Sequence, residues 1–451
     1  MNSKARLLIF LVPIIVLVLL GAILIPRFLK KGNSQPKNIE LVYWGLFEPE
    51  EVIEPLIAEY IQIFEGKNPG TTLKISYEQR TFDSLEQYRE TVKGRLTTGE
   101  PIDIVRLHST WMPEFAPILS PLPTEVMKSE DYAGTFYRVA TTGATVNGQI
   151  YGIPLMYDGL VLLCNSELFA KAGLSVPKPE DRISWLQFEE YARQLTKVSG
   201  TKIVQSGAGI GTANNVPFAT DILGLMLAQV EVTGLTNLDS PQAADALELY
   251  SSFSKDSKVW DSTSFVSTLD AFTQNKLGMM FTPAWQILNI VELNPQIQLV
   301  VVPVPQARNS TGKSANWGSF WFESVNKESK NSAVAWDFLK FLSSSETEKK
   351  FFSKASTLRK FGEAYSRVDL KDSLGTHEIF GPVVKGADTA STWYITDYSG
   401  NGAFTALVAA TIDQASQGGD PASLMKELQL QLIQEAKKKG YQVPAVPPPV
   451  K

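Results

Sequence analysis

The chain has 451 residues, 44% hydrophobic and 20% charged, with 31 glycines and 26 prolines, a balance that excludes a disordered, collagenous or disulfide-scaffold protein. The net charge of −5 repels a phosphate backbone, so no nucleic-acid partner is expected. Cys164 is the single cysteine, which rules out an internal disulfide and a cysteine-rich zinc site, and the two histidines, His108 and His377, leave little for a metal cluster.

Leu7 to Ile25 is apolar and uncharged, and as a helix it spans roughly 28 Å, about one hydrocarbon core. A cleavable signal would end in a small-x-small site, whereas Pro26, Arg27, Phe28, Leu29, Lys30 and Lys31 follow directly. The reading is an uncleaved single-pass anchor over 7–25 with a cytoplasmic tail, 1–6; a cleaved signal with a poor site is the alternative. No cysteine stands just after the apolar run, and Cys164 lies far downstream, so lipidation is not expected. Lys4 and Arg6 precede it, and Arg27, Lys30 and Lys31 follow it, so positive charge does not choose the orientation. Residues 26–38 form a polar tether.

Ile39 to Trp44 is a β-branched and aromatic run, and Ile53, Leu56, Ile57, Tyr60, Ile63 and Phe64 then share one helical face. Pro55 fits near that helix's start or at a kink. Leu73, Ile75 and Tyr77 alternate as a strand, Leu85 to Leu96 is an amphipathic helix, and Ile102 to Leu107 is a third strand. This βαβαβ order predicts a parallel sheet, with ligands collecting outside the carboxyl ends of the strands. Trp44, Glu78, His108 and Trp111 fall at that rim. Gly207 to Thr212 is glycine-rich but lacks nucleotide-binding spacing, and reads as a loop. The helix of Val334, Trp336, Phe338 and Leu342 is core, and Trp185 and Trp260 are assigned to packing. Near the end, Asp420 is a good N-cap, Pro421 suits the first helical position, and Leu424, Leu428 and Leu432 share a face. Residues 441–451 are a Pro-rich tail.

No metalloprotease, serine-hydrolase or EF-hand motif occurs. A pair of carboxylates distant in sequence still leaves a glycoside hydrolase as one alternative.

Several segments in order resemble the extracellular solute-binding proteins of ABC importers, in the branch that binds sugars and oligosaccharides (family 1-like). They are the Ile39–Gly45 strand; Gly99-Glu100-Pro101-Ile102-Asp103-Ile104-Val105; Asn147 to Pro154; Leu155 to Leu160 with Cys164-Asn165-Ser166-Glu167-Leu168-Phe169; Lys171 to Leu174; Leu277 to Phe281 with Trp285; and Ser329 to Leu342. Cys164 stands where the family often has tyrosine, and the plain apolar N-terminus replaces the usual cleaved or lipoprotein signal.

The resemblance implies an α/β, two-lobed periplasmic-binding-protein-like (type II) fold with crossing hinge strands, here with an N-terminal transmembrane helix. Lobe I is expected over 39–157 and 322–370, and lobe II over 158–321 and 371–440. It also implies a non-enzymatic receptor, active as a monomer without cofactor, that passes a small carbohydrate to an ABC permease. A surface adhesion or sensor protein on the same fold is a further alternative.

Sugar clefts use aromatic platforms and bidentate polar side chains. Nine tryptophans are available. The expected aromatic contacts are Trp44, Trp111, Trp285, Trp317, Trp321, Trp393 and Tyr394, with Tyr157 beside the first crossing; for any single tryptophan the alternative is ordinary core packing. The polar candidates are Glu78, His108, Asn215, Asp221, Asn316 and, foremost, Asp158, where the resemblance places an acidic ligand contact. For Asp158 a structural role at the hinge remains open, for Asp221 a helix N-cap, and His108 reads as a neutral hydrogen-bond donor or a solvated loop residue and not as a catalyst.

Overall fold

A computed structural model describes residues 37–307, 314–393, 395 and 402–441. The anchor over 7–25 and nearly all of the tether and tail lie outside these residues. No helix among the described residues is long and apolar enough to cross a membrane.

The strands of the two large sheets, in chain order, are β1 Lys37–Gly45, β2 Thr71–Gln79, β3 Ile104–His108, β4 Leu160–Asn165, β5 Lys197–Ser199, β6 Lys202–Ala208, β7 Leu277–Pro283, β8 Leu299–Val302 and β9 Trp321–Val325. The chain divides into two compact units, one of which holds residues up to Glu40 together with Ile61–Lys74. Local hydrogen bonds order it: Lys37 N–H donates to Gly70 O at 3.1 Å, Thr72 Oγ1 to Asn38 Oδ1 at 2.8 Å, and Leu73 N–H to Glu65 Oε1 at 2.9 Å. Ile63, expected on the buried face of its helix, is 38% exposed.

The second unit, Leu41–Tyr60 with Ile75–Lys451, carries two large sheets and two small two-stranded ones. One runs β9-β3-β1-β2, with β1 parallel to β3 and β9 antiparallel to β3. In that register Glu323 stands opposite Arg106. The helix Glu50–Lys67 buries Val52, Ile53, Leu56, Ile57 and Tyr60, with Pro55 tolerated in its second turn. The helix Leu85–Thr97 starts at an Ser84 cap whose hydroxyl accepts the Gln87 N–H. Trp336 is fully buried on the helix Ser332–Leu342.

The other sheet runs β8-β4-β7-β6-β5, mixed in direction: β4 lies antiparallel to β7 and β8, and β6 parallel to β7. All six residues of β4 are buried, as its LVLLCN run requires of a central strand covered on both faces. Part of the stretch read as a loop after Gln205 is strand: Gly207 and Ala208 close β6. A Cβ on Gly207 would lie 1.8 Å from the Ala192 carbonyl, so glycine there lets the capped helix Trp185–Leu195 sit directly on the strand. Asp420 caps the helix Pro421–Lys438, accepting the Ser423 N–H at 2.9 Å, and Met425, Leu428, Leu432 and Ala436 are its buried stripe. That helix packs on the helices Pro241–Lys255 and Ala403–Ser416.

Two chain segments run side by side between the sheets of this unit. Ile153 bridges Glu323 of β9, and Gly159, just before β4, bridges Gly318. Ser319 N–H donates to Asp158 O at 3.0 Å.

Candidate functional site

The chain direction around Asp158 explains how a pocket forms there. Strand β7 ends at Pro283, opposite Leu160 of β4, and the backbone turns through Ala284 and Trp285 into the helix Gln286–Leu293. N–H groups at the start of a helix have no intrahelical acceptor. The Asp158 carboxylate supplies one from the crossing segment: Oδ1 accepts Gly159 N–H at 2.6 Å and Ala284 N–H at 2.9 Å, and Oδ2 accepts Trp285 N–H at 2.9 Å. Burial, reinforced by the nearby Glu363 carboxylate, nevertheless raises the Asp158 pKa to about 7. Desolvation therefore outweighs the three donors.

Beside this turn lies a pocket of about 440 Å³, within the range of small-molecule sites. Its aromatic walls are Trp285, Trp321, Phe47 and Phe320, its aliphatic walls Leu85, Met156 and Leu288, and its polar groups Glu48, Asp158, Asn289, Ser319, Arg359 and Glu363. Trp321 opens β9 and is held edge-on by Phe47, His108 and Trp111, with centroids 5.1, 5.0 and 5.3 Å away. Trp285 is half-buried and lines the cavity. A buried ring that opens β9 and a half-buried ring just past the end of β7 thus share one cavity.

The charged wall is built from distant parts of the chain. Arg106 on β3 donates to Glu323 Oε1 at 2.6 Å and also to Glu48, all three nearly inaccessible. Burial alone would lower the Arg106 pKa, but Glu323 and Glu48 hold it above the ordinary guanidinium value. Burial raises Glu323 despite Arg106. Arg359 and Glu363, after the helix Ser345–Leu358, pair at 2.8 Å, and burial raises Glu363 as well, against the pull of Arg359.

Of the residues singled out in the sequence, the structure brings Asp158, Trp285 and Trp321 to this pocket. His108 stands directly behind it: Nε2 is 3.1 Å from the Oγ of Ser319 on the wall, and Nδ1 is 2.8 Å from Thr110 Oγ1, so it is a buried polar link rather than a solvated loop residue. Trp111 is fully buried against Phe115 and Trp321. Tyr157 is buried between Tyr137 and Phe320, the latter a wall residue.

The remaining candidates lie elsewhere. Trp44 is buried beneath the Arg80 guanidinium, 4.3 Å from its centroid, and Glu78 is an exposed partner of the same arginine. Asn215 has its amide spent within the protein: Oδ1 accepts from Thr212 and Trp260, and Nδ2 donates to the carbonyls of Asp261 and Phe265. Asp221 is no N-cap, because the helix Ala219–Gln229 is preceded by Phe218; its Oδ1 accepts the Trp317 indole N–H at 3.0 Å. Asn316 donates to Thr389 Oγ1 at 2.7 Å. Trp393 is half-buried and outside the pocket wall, and Tyr394 lies outside the described residues.

Sequence reasoning missed Glu48, Asn289, Arg359 and Glu363. No local motif marks any of them; they become neighbours only through the order of the strands. No cluster of metal-ligating side chains occurs among the described residues.

Residues 59–359 match the family described as bacterial extracellular solute-binding protein. The multiple sugar-binding protein of Streptococcus mutans is 20% identical over 341 residues, covering 72% of this chain and 75% of its own. Among solved structures, a cyclo/maltodextrin-binding protein complexed with maltotetraose superposes with a TM-score of 0.68 at 15% identity, covering 92% of this chain and 100% of its own. The GacH receptor of Streptomyces glaucescens, studied unliganded and with acarbose, gives 0.63 at 19% identity, covering 90% and 100%. At these identities the likeness is one of fold: two-lobed, α/β and periplasmic-binding-protein-like.

Proposed function

The chain belongs to the bacterial extracellular solute-binding proteins, a non-enzymatic family serving ABC transporters, and from that membership we infer that it captures a sugar or oligosaccharide and delivers it to an ABC permease. The observation that carries this reading is the pocket in which Trp285 and Trp321 accompany Asp158, Asn289, Arg359 and Glu363. Indole faces suit the CH faces of a pyranose, while carboxylate, amide and guanidinium groups suit its hydroxyl rim. The names of a sugar-binding relative and of a maltodextrin-binding structural neighbour support the same class.

In this reading lobe I is 39–157 with 322–370, and lobe II is 158–321 with 371–440. Closure is a hinge motion about the paired crossing segments at 153–160 and 317–323. The ligand shifts the equilibrium by contacts made only in the closed form, and the permease distinguishes the two shapes. Residues 7–25 hold the receptor at the outer face of the membrane.

The test is thermal unfolding of the full-length protein in detergent against mono- and oligosaccharides, peptides and polyols, since a ligand that binds only the folded form raises the midpoint. A shift confined to carbohydrates, with the sugar recovered intact, supports the reading. A shift with peptides or polyols alone sinks it.

A further inference from the structure

The charge balance of the pocket narrows the class of ligand; this step rests on the sugar-receptor reading and deepens it. The ionisable groups on the wall are Glu48, Asp158, Glu363 and Arg359. Glu48 is tied to Arg106, but that guanidinium is shared with Glu323, so two buried carboxyl groups draw on one cation. Arg359 is matched to Glu363. Asp158 is held by backbone N–H groups, and no cationic side chain pairs with it among the described residues. Four carboxyl groups thus share two guanidiniums, and burial raises three of them, Asp158, Glu323 and Glu363, toward the neutral form. Glu48 is 1% exposed, and its Oε1 has no hydrogen-bond partner.

Carboxyl groups short of cations in a poorly solvated cavity are held toward the neutral form by burial, and a neutral ligand displaces water from them without supplying the charge that would ionise them. An ammonium supplies it, and the indole faces of Trp285 and Trp321 attract a cation through their quadrupoles. We propose that the physiological ligand carries a basic nitrogen, as an aminated sugar or oligosaccharide whose ammonium sits among Asp158, Glu363 and the Trp285 ring.

The experiment is calorimetric titration of the full-length protein in detergent, at pH 7 and fixed ionic strength. The probes are glucosamine, galactosamine and mannosamine against glucose, galactose and mannose, and chitosan oligosaccharides against cello-oligosaccharides of equal length. The expected result is at least tenfold tighter binding of an aminated probe than of its hydroxyl counterpart, with the ratio shrinking as salt rises. Glu363→Gln should shrink the same ratio at least threefold, and should that variant fail to fold, the salt dependence of the wild type carries the test. A hydroxyl sugar that binds as tightly as its amine overturns the cationic ligand and leaves the sugar receptor standing. Absence of binding by every sugar, charged or neutral, overturns both.

Discussion

The carboxylate of Asp158 accepts the backbone N–H of Trp285 at 2.9 Å, so the segment entering β4 fixes the turn that presents the pocket's accessible indole. Asp158 is therefore both a wall residue and the brace of another wall residue. A place on the pocket wall and a structural bond to the neighbouring turn thus coincide in one side chain.

That brace gives a pH signature. The Asp158 pKa is raised to about 7, above the ordinary 3.8, by burial and by Glu363. A carboxyl raised on folding contributes stability fully below the unfolded pKa and loses it as pH rises through the folded pKa. The stability difference between wild type and Asp158→Asn should therefore move against the wild type from about pH 4 to about pH 7 and be flat above. Urea unfolding at each pH measures it, and a constant difference across that window would contradict the assignment.

Trp285 should act on ligand affinity more than on folding, because its ring is half-buried and opens onto the cavity. Trp285→Ala is expected to weaken carbohydrate binding by about 1 kcal/mol or more through lost stacking, with its unfolding midpoint close to wild type. Unchanged affinity for a ligand that the wild type binds would move the site elsewhere.

The trio Glu48, Arg106 and Glu323 should act the other way, on stability first. Replacing Arg106 by methionine leaves two buried carboxylates without their cation, which costs about 3–5 kcal/mol. Denaturant titration measures the loss, and a variant as stable as the wild type would show that the cluster is hydrated and not buried as described.

Much of the frame was readable from local pattern, because each signal acts within a few residues. Leu73, Ile75 and Tyr77 alternate and are buried on β2, and Asp420 with Pro421 starts a helix where expected. Ile63 departs from its helical face because periodicity assigns a face without saying how far its burial extends. Asp158 was found by resemblance, and Trp285 and Trp321 by the same motif order together with their aromatic type. Arg359 and Glu363 had no such signal: they meet Asp158 across some two hundred residues, through topology alone. Asn215 and Asp221 look alike in sequence to ligand-binding residues. Only their saturated amide and indole partners, Trp260 and Trp317, reveal structural work.

The paired crossing segments carry the last prediction. Gly159 bridges Gly318, and a Cβ on Gly159 would stand 2.6 Å from the Trp317 carbonyl, an atom that moves only with its strand. Gly159→Ala must then push the two segments apart, at a cost of about 1–3 kcal/mol, and disturb the Ser319-to-Asp158 backbone bond beside the pocket. Gly134→Ala is the control: it lies in the short helix Ser129–Thr135 with nothing within 4 Å of the added methyl, so it should be neutral or slightly stabilising. Urea unfolding and carbohydrate titration of the two variants should separate them, with Gly159→Ala weaker in both. Equal behaviour of the two would mean that the crossing segments are not pressed together as described, and the hinge would have to be sought elsewhere.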